Sequence, residues 1–182
     1  MRILSLGSVL IFLCQLQAGE LQNLGRQLFF DKRLSVDGSI SCGSCHRPDT
    51  AFAEPFPVSL GVRSSKGKFN APTILNLQHA KRFFWDGRAH SLEQQAEGPL
   101  LNAIEMGNSR EELEARLSTI PEYRKRFKRA FGDDSITLEK ITKAVAAYER
   151  SLASSQSLYD EWRVAAGSVG LTSMSSAGNF FS

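Results

Sequence analysis

Ser41-Cys42-Gly43-Ser44-Cys45-His46 brings two thiols and an imidazole together within six residues. A pair of cysteines three positions apart with a histidine directly after it is the Cys-x-x-Cys-His pattern of covalent c-type haem attachment. The spacing has a chemical reason: the thiols add to the two vinyl groups of one porphyrin, and the imidazole reaches the iron as proximal ligand. Three other readings compete. A zinc ribbon needs a second ligand pair, and beyond His46 only His79 and His90 remain, with no cysteine to join them. A thioredoxin-like redox pair needs a βαβ setting, which the flanking sequence lacks. A structural disulfide leaves His46 without a role. One haem c, held by Cys42, Cys45 and His46, is therefore the expectation.

Outward from this motif, the chain has 182 residues, 42% of them hydrophobic and 23% charged, enough apolar side chain for one ordinary globular domain. That composition excludes a disordered chain, and 14 Gly with 6 Pro exclude a collagen-like or low-complexity one. A formal charge of +3 does not suggest a nucleic-acid partner. Three cysteines exclude a disulfide-stapled miniprotein. Residues 1–18 read as a signal peptide: Arg2 is followed by the apolar run Ile3–Leu13, too short for a spanning helix of roughly 20 residues, and Leu16-Gln17-Ala18 suits a cleavage site. Leu13 argues against a lipid anchor on Cys14. Export to the periplasm follows, with no membrane segment after cleavage and with Cys42 and Cys45 as the mature chain's cysteines.

The periodicity is helical. Leu21, Leu24, Leu28 and Phe29 share one side of a short amphipathic helix over Leu21–Phe30. Pro48–Pro72 holds four prolines and little periodicity, which predicts an extended loop wrapped over the haem. Ser91 with Gln94, and Ser109 with Glu112, read as capping boxes that open two further helices. Pro121 and Gly132 frame a helix over Glu122–Phe131. Its basic cluster Lys125, Arg126, Lys128 and Arg129 reads as a solvated face. After Thr137 as N-cap, Leu138, Ile141, Val145, Tyr148 and Leu152 fall on one face. The predicted class is all-α, a haem domain with long irregular loops around the cofactor and no alternating strand.

Six segments, the attachment motif among them, point the same way: Leu24-Gly25-Arg26-Gln27-Leu28-Phe29-Phe30-Asp31, Ile40 through His46, Asn70-Ala71-Pro72-Thr73, Phe84-Trp85-Asp86-Gly87-Arg88-Ala89, Glu93 through Leu100, and Glu105-Met106-Gly107. In this order they resemble the bacterial di-haem cytochrome c peroxidases, MauG-type enzymes included. The resemblance implies a cytochrome c-like haem domain over residues 19–166, corresponding to the peroxidatic half of that family. Residues 167–182 are then a linker and the start of a second haem domain, since Gly178-Asn179-Phe180-Phe181 echoes Gly25 through Phe30. No second Cys-x-x-Cys-His occurs in the sequence. Either part of a di-haem enzyme or a single-haem protein fed with electrons from elsewhere is expected.

The resemblance also assigns roles. Glu105 matches the distal acid/base, which takes a proton from one peroxide oxygen and returns it to the other. Gln95 and Pro99 match residues lining the distal pocket, and Trp85 matches the electron relay, with a core aromatic as its alternative. Asn70 matches a calcium ligand whose partners belong to the other half. Asp86 and Arg88 are expected to form an internal ion pair that fixes their loop, and His79 and His90 to lie at the surface, with a sixth-ligand role for either as the alternative. Where many relatives carry a capping histidine after Ser-Leu-Gly, this chain has Val62 after Ser59-Leu60-Gly61, so the iron is expected to be five-coordinate or water-bound without activation. The implied reaction is reduction of hydrogen peroxide with electrons from a small cytochrome c or cupredoxin, with a homodimer or a separate second-haem chain as further partners. The rival readings are MauG-like oxidation of a protein and a mono-haem electron carrier with Met106 or Met174 as sixth ligand.

Overall fold

The computed structural model describes residues 6–155 and 157–168; Met174 and Gly178–Phe181 lie outside the described residues. Among these residues are seven α-helices and no strand, only three isolated antiparallel bridges, as the all-α reading expected. The helices are α1 (Leu6–Phe30), α2 (Cys42–Cys45), α3 (Leu92–Leu101), α4 (Arg110–Ser118), α5 (Pro121–Phe131), α6 (Leu138–Ser151) and α7 (Leu158–Ser168).

The core forms where α1 packs against α6 and α5, and α3 also packs against α6. Leu24, Leu28 and Phe29 of α1 are fully buried against Ile141, Val145 and Tyr148 of α6. Each such side chain contributes about 2 kcal/mol by leaving water. Close approach of the two helices depends on Gly25: a Cβ there would stand 1.8 Å from the Ala144 carbonyl oxygen. The face expected on α6 is the observed one, with Leu152 partly buried just past the helix end.

Local signals hold at most helix ends. Ser109 and Glu112 close a reciprocal capping box on α4, Thr137 caps α6, and Gly132, at φ 89°, ends α5 in the left-handed conformation. Ser91 caps α3, but the Gln94 side chain reaches back one residue further than a capping box requires, accepting from the His90 N–H at 2.8 Å. Lys125, Lys128 and Arg129 are exposed, and Arg126 pairs with Glu122 at 2.8 Å, so the basic cluster is a solvated face.

The structure corrects one boundary. The helix expected from Leu21 runs back to Leu6, because no proline interrupts the chain before it, and the expected cleavage point at Ala18 falls within a helical turn. No helix among the described residues is long and apolar enough to cross a membrane.

Candidate haem site and peroxide pocket

Cys42, Gly43, Ser44 and Cys45 make a single helical turn, α2, started by Ser41. The Ser41 N–H donates to Ser44 Oγ at 2.9 Å, and the Ser44 N–H donates to the Ser41 carbonyl at 3.0 Å. Gly43 lets this turn rest on α1: a Cβ would stand 2.4 Å from the Phe30 ring. Both cysteines are free thiols and partly buried. Burial pushes the Cys42 thiol up to about 12, with a contribution from the Glu149 carboxylate. At Cys45 burial raises the thiol in the same direction, Ser59 opposes it, and the charges of Glu54 and Glu105 add to it. In this setting the thiols stay protonated near neutral pH.

His46 follows the turn, its N–H donating to the Cys42 carbonyl at 2.9 Å. Its Nδ1 lies 3.1 Å from the Phe52 carbonyl oxygen, and its ring is 6.3 Å from that of core residue Phe29. Burial lowers the proton affinity of the imidazole, which favours the neutral form that binds metals. The Phe52 and Pro72 carbonyls both act on the ring, and contacts of this kind fix the orientation of a ligating histidine. Glu149 Oε2, a buried polar atom without a hydrogen-bond partner, lies near Cys42, and the Ser59 hydroxyl faces the Cys45 thiol. Two free thiols on one turn, a neutral imidazole directly after them and the unsatisfied Glu149 oxygen fit a porphyrin bonded at this place.

Glu105 sits on the turn after α3, which folds back so that the Glu105 N–H donates to the Asn102 carbonyl at 3.0 Å and the Met106 N–H to the Pro99 carbonyl at 3.2 Å. Pro99 lies inside the last turn of α3 and has no N–H to give to the Gln95 carbonyl. Gln95, Pro99 and Glu105 thus belong to one helix-and-turn unit. Burial raises the proton affinity of Glu105, opposed by the Asn102 amide, which donates to its Oε1 at 2.7 Å, and by the Arg88 charge. Buried Asn108 ties the unit down, its Nδ2 donating to the carbonyls of Leu34 at 2.8 Å and Leu100 at 2.9 Å. A half-buried carboxyl of raised proton affinity, whose charge is felt at Cys45, is chemically suited to receive and return a proton beside the cofactor.

A profile of the di-haem cytochrome c peroxidases matches residues 19–168. The chain belongs to the di-haem cytochrome c peroxidase family. It is 42% identical over 143 residues to the cytochrome c551 peroxidase of Nitrosomonas europaea, covering 79% of this chain and 43% of that protein. With the methylamine utilization protein MauG of Methylophilus methylotrophus the identity is 41% over 143 residues, again 79% of this chain and 43% of the relative. Among solved structures, a MauG-like protein associated with microbial copper homeostasis superposes with a TM-score of 0.75 at 36% identity, covering 80% of this chain and 44% of that one. The diheme peroxidase BthA from Burkholderia thailandensis gives 0.63 at 30% identity, over 72% of this chain and 38% of that one. The chain therefore spans less than half the length of the relatives it matches.

The other family positions fall as follows. Val62 is 1% exposed, its side chain packed beside Gly107. Trp85 is 65% exposed, which corrects the alternative of a core aromatic; its Nε1 donates to the Asn70 carbonyl at 2.8 Å. Asp86 and Arg88 do pair, at 2.9 Å, but both are well exposed rather than internal, and the Arg88 guanidinium lies 3.6 Å over the Phe84 ring. The Asn70 amide donates to the carbonyls of Glu54 and Phe56, both at 2.7 Å, a loop-fixing role. No group of three or more His, Cys, Asp or Glu residues suited to a metal gathers among the described residues. His79 and His90 are exposed, as expected.

Sequence reading missed three site residues. Glu54 and Glu149 are buried acids, 8% and 4% exposed, and Asn108 is 5% exposed. Glu149 lies one position from Tyr148 on the buried face of α6 and could have been found from that spacing; Glu54 and Asn108 sit on irregular segments with no periodicity to reveal them.

Proposed function

We propose that this chain is the peroxidatic haem domain of an exported cytochrome c peroxidase, reducing hydrogen peroxide to water with two electrons from a small redox protein. The observation that carries the reading is the half-buried Glu105, of raised proton affinity, on the unit that also holds Gln95 and Pro99, with its charge acting at Cys45. Haem c on Cys42, Cys45 and His46 supplies, when bound, the iron that takes up peroxide and passes it two electrons. Glu105 holds the first peroxide proton at its carboxylate and delivers it to the departing oxygen, which then leaves as water. Gln95, half-buried, offers its amide to orient peroxide. The Phe52 carbonyl fixes the orientation of the His46 ring. Trp85, exposed and held at Nε1, is placed to receive electrons from a docking partner, whether a cytochrome c, a cupredoxin, a second-haem chain or a second copy. The apolar leader 1–18 would deliver the chain to the periplasm, the compartment in which c-type haem is attached.

Burial of Val62 favours an iron left open without activation, as in the MauG type, so oxidation of a protein side chain at the same pocket is the second reading. Met106, 3% exposed within the main core, gives the electron-carrier alternative little support. Stopped-flow mixing of the ferric, haem-loaded chain with peroxide tests the main reading. Glu105→Gln should slow the spectral change by about 100-fold with haem content unchanged. Equal rates would remove Glu105 from the reaction.

A further inference from the structure

Gly61 has an ordinary backbone conformation, φ −93°, so nothing in its own torsions demands glycine. Its surroundings do. A Cβ built there would stand 1.9 Å from the Ile104 carbonyl oxygen and 2.8 Å from both the Cα and the carbonyl oxygen of Glu105. All three are backbone atoms, with no flexible side chain able to yield. The neighbouring contacts fix the same approach: the Val62 N–H donates to the Glu105 carbonyl at 2.8 Å, and Val62 Cγ2 would be 3.2 Å from a Cβ on Gly107. The loop itself is braced, with the Gly61 N–H donating to the Ser65 carbonyl at 2.8 Å and the Gly67 N–H to the Ser59 carbonyl at 2.9 Å. Asn102 holds the Glu105 carboxyl and Asn108 anchors the ends of its turn, whereas Gly61 alone of these presses on the Glu105 Cα.

We propose that Gly61 is a positioning residue for Glu105: its missing side chain lets the 59–66 loop seat directly on the Ile104–Glu105 backbone and set where the carboxyl points. The inference rests on Glu105 being the acid–base group of the proposed peroxide reaction. Any side chain at 61 must push the turn away, and the carboxyl goes with it.

The test is a double-mutant cycle on the haem-loaded chain, read by stopped-flow mixing with peroxide. Gly61→Ala should slow the reaction at least 10-fold, yet add less than about twofold in the Glu105→Gln background, because the displaced carboxyl is already gone. An undiminished effect in that background would show general damage and overturn the proposal, as would a wild-type rate for Gly61→Ala. A wild-type rate for Glu105→Gln would instead overturn the catalytic reading. An independent readout is the carboxyl-carbon NMR titration of Glu105 in the ferrous, carbon monoxide-bound chain, whose midpoint should fall toward the ordinary carboxylate range in Gly61→Ala; an unmoved midpoint contradicts the proposal. If Gly61→Ala yields no haem-loaded protein, Val62→Ala, which trims the packing of the same loop on Gly107, carries the cycle with the same outcomes.

Discussion

Nδ1 of His46 lies 3.1 Å from the carbonyl oxygen of Phe52, a contact that fixes the orientation of the imidazole. The carbonyl is aimed by a tight turn: the Phe52 N–H donates to the Arg47 carbonyl at 2.7 Å, and Ala51 and Phe52 both take positive φ, 54° and 57°. His46→Gly with both cysteines intact should give a haem whose Soret band is displaced and returns to the wild-type position when imidazole is added. A variant spectrum identical to wild type before imidazole would show that His46 is not the ligand.

The hydrogen bond from Asn102 to Glu105 Oε1 stabilises the charged carboxylate and opposes the effect of burial. Asn102→Ala removes it, so the proton affinity of Glu105 rises. A base must be unprotonated to act, so the loss of rate on acidification should begin at a higher pH than in wild type. Rate–pH profiles of peroxide reduction for the two proteins check this; a limb that stays put or moves to lower pH would contradict it.

Glu149 is 4% exposed, and burial, opposed by the Arg150 charge and reinforced by a smaller repulsion from Glu93, pushes its carboxyl up from 4.5 to about 8. Between those two values the folded chain keeps a proton that the unfolded chain loses, so this group makes stability fall as pH rises. Glu149→Gln cannot ionise. Thermal melts should place the variant above wild type by about 5 °C or more at pH 8, with the gap closing toward pH 4. A gap independent of pH would rule out ionisation of Glu149 as its cause.

Gly25 meets the Ala144 carbonyl across the contact of α1 with α6, and a Cβ would sit 1.8 Å from its oxygen. Gly25→Ala must separate the helices and should cost about 2 kcal/mol or more, visible as a lowered denaturation midpoint. An unchanged midpoint would mean that the helices are not held at this distance.

What was legible in the sequence follows from what is periodic or chemically fixed. The buried stripe Leu138, Ile141, Val145 and Tyr148, the caps Ser109 and Thr137, and the turn carrying Cys42, Cys45 and His46 could all be read directly, because helix geometry and thioether chemistry each impose a spacing. The start of α1 was misplaced because an apolar leader and an amphipathic helix join without a breaker. Glu105 entered through family resemblance, since nothing in its spacing separates it from an exposed acid. The need for glycine at 61 is hidden for a different reason: it comes from the backbone of Ile104 and Glu105, more than 40 positions away, and no local pattern carries a tertiary contact.

The most direct measurement is electron paramagnetic resonance of the purified ferric chain, made in a host that matures c-type haem, before and after one equivalent of peroxide. The expected protein keeps its colour through acid–acetone extraction, gives a high-spin signal from an iron with one open face, and loses that signal when peroxide is added. A colourless chain, or a low-spin signal that peroxide leaves untouched, would contradict a bonded haem open to peroxide beside Glu105.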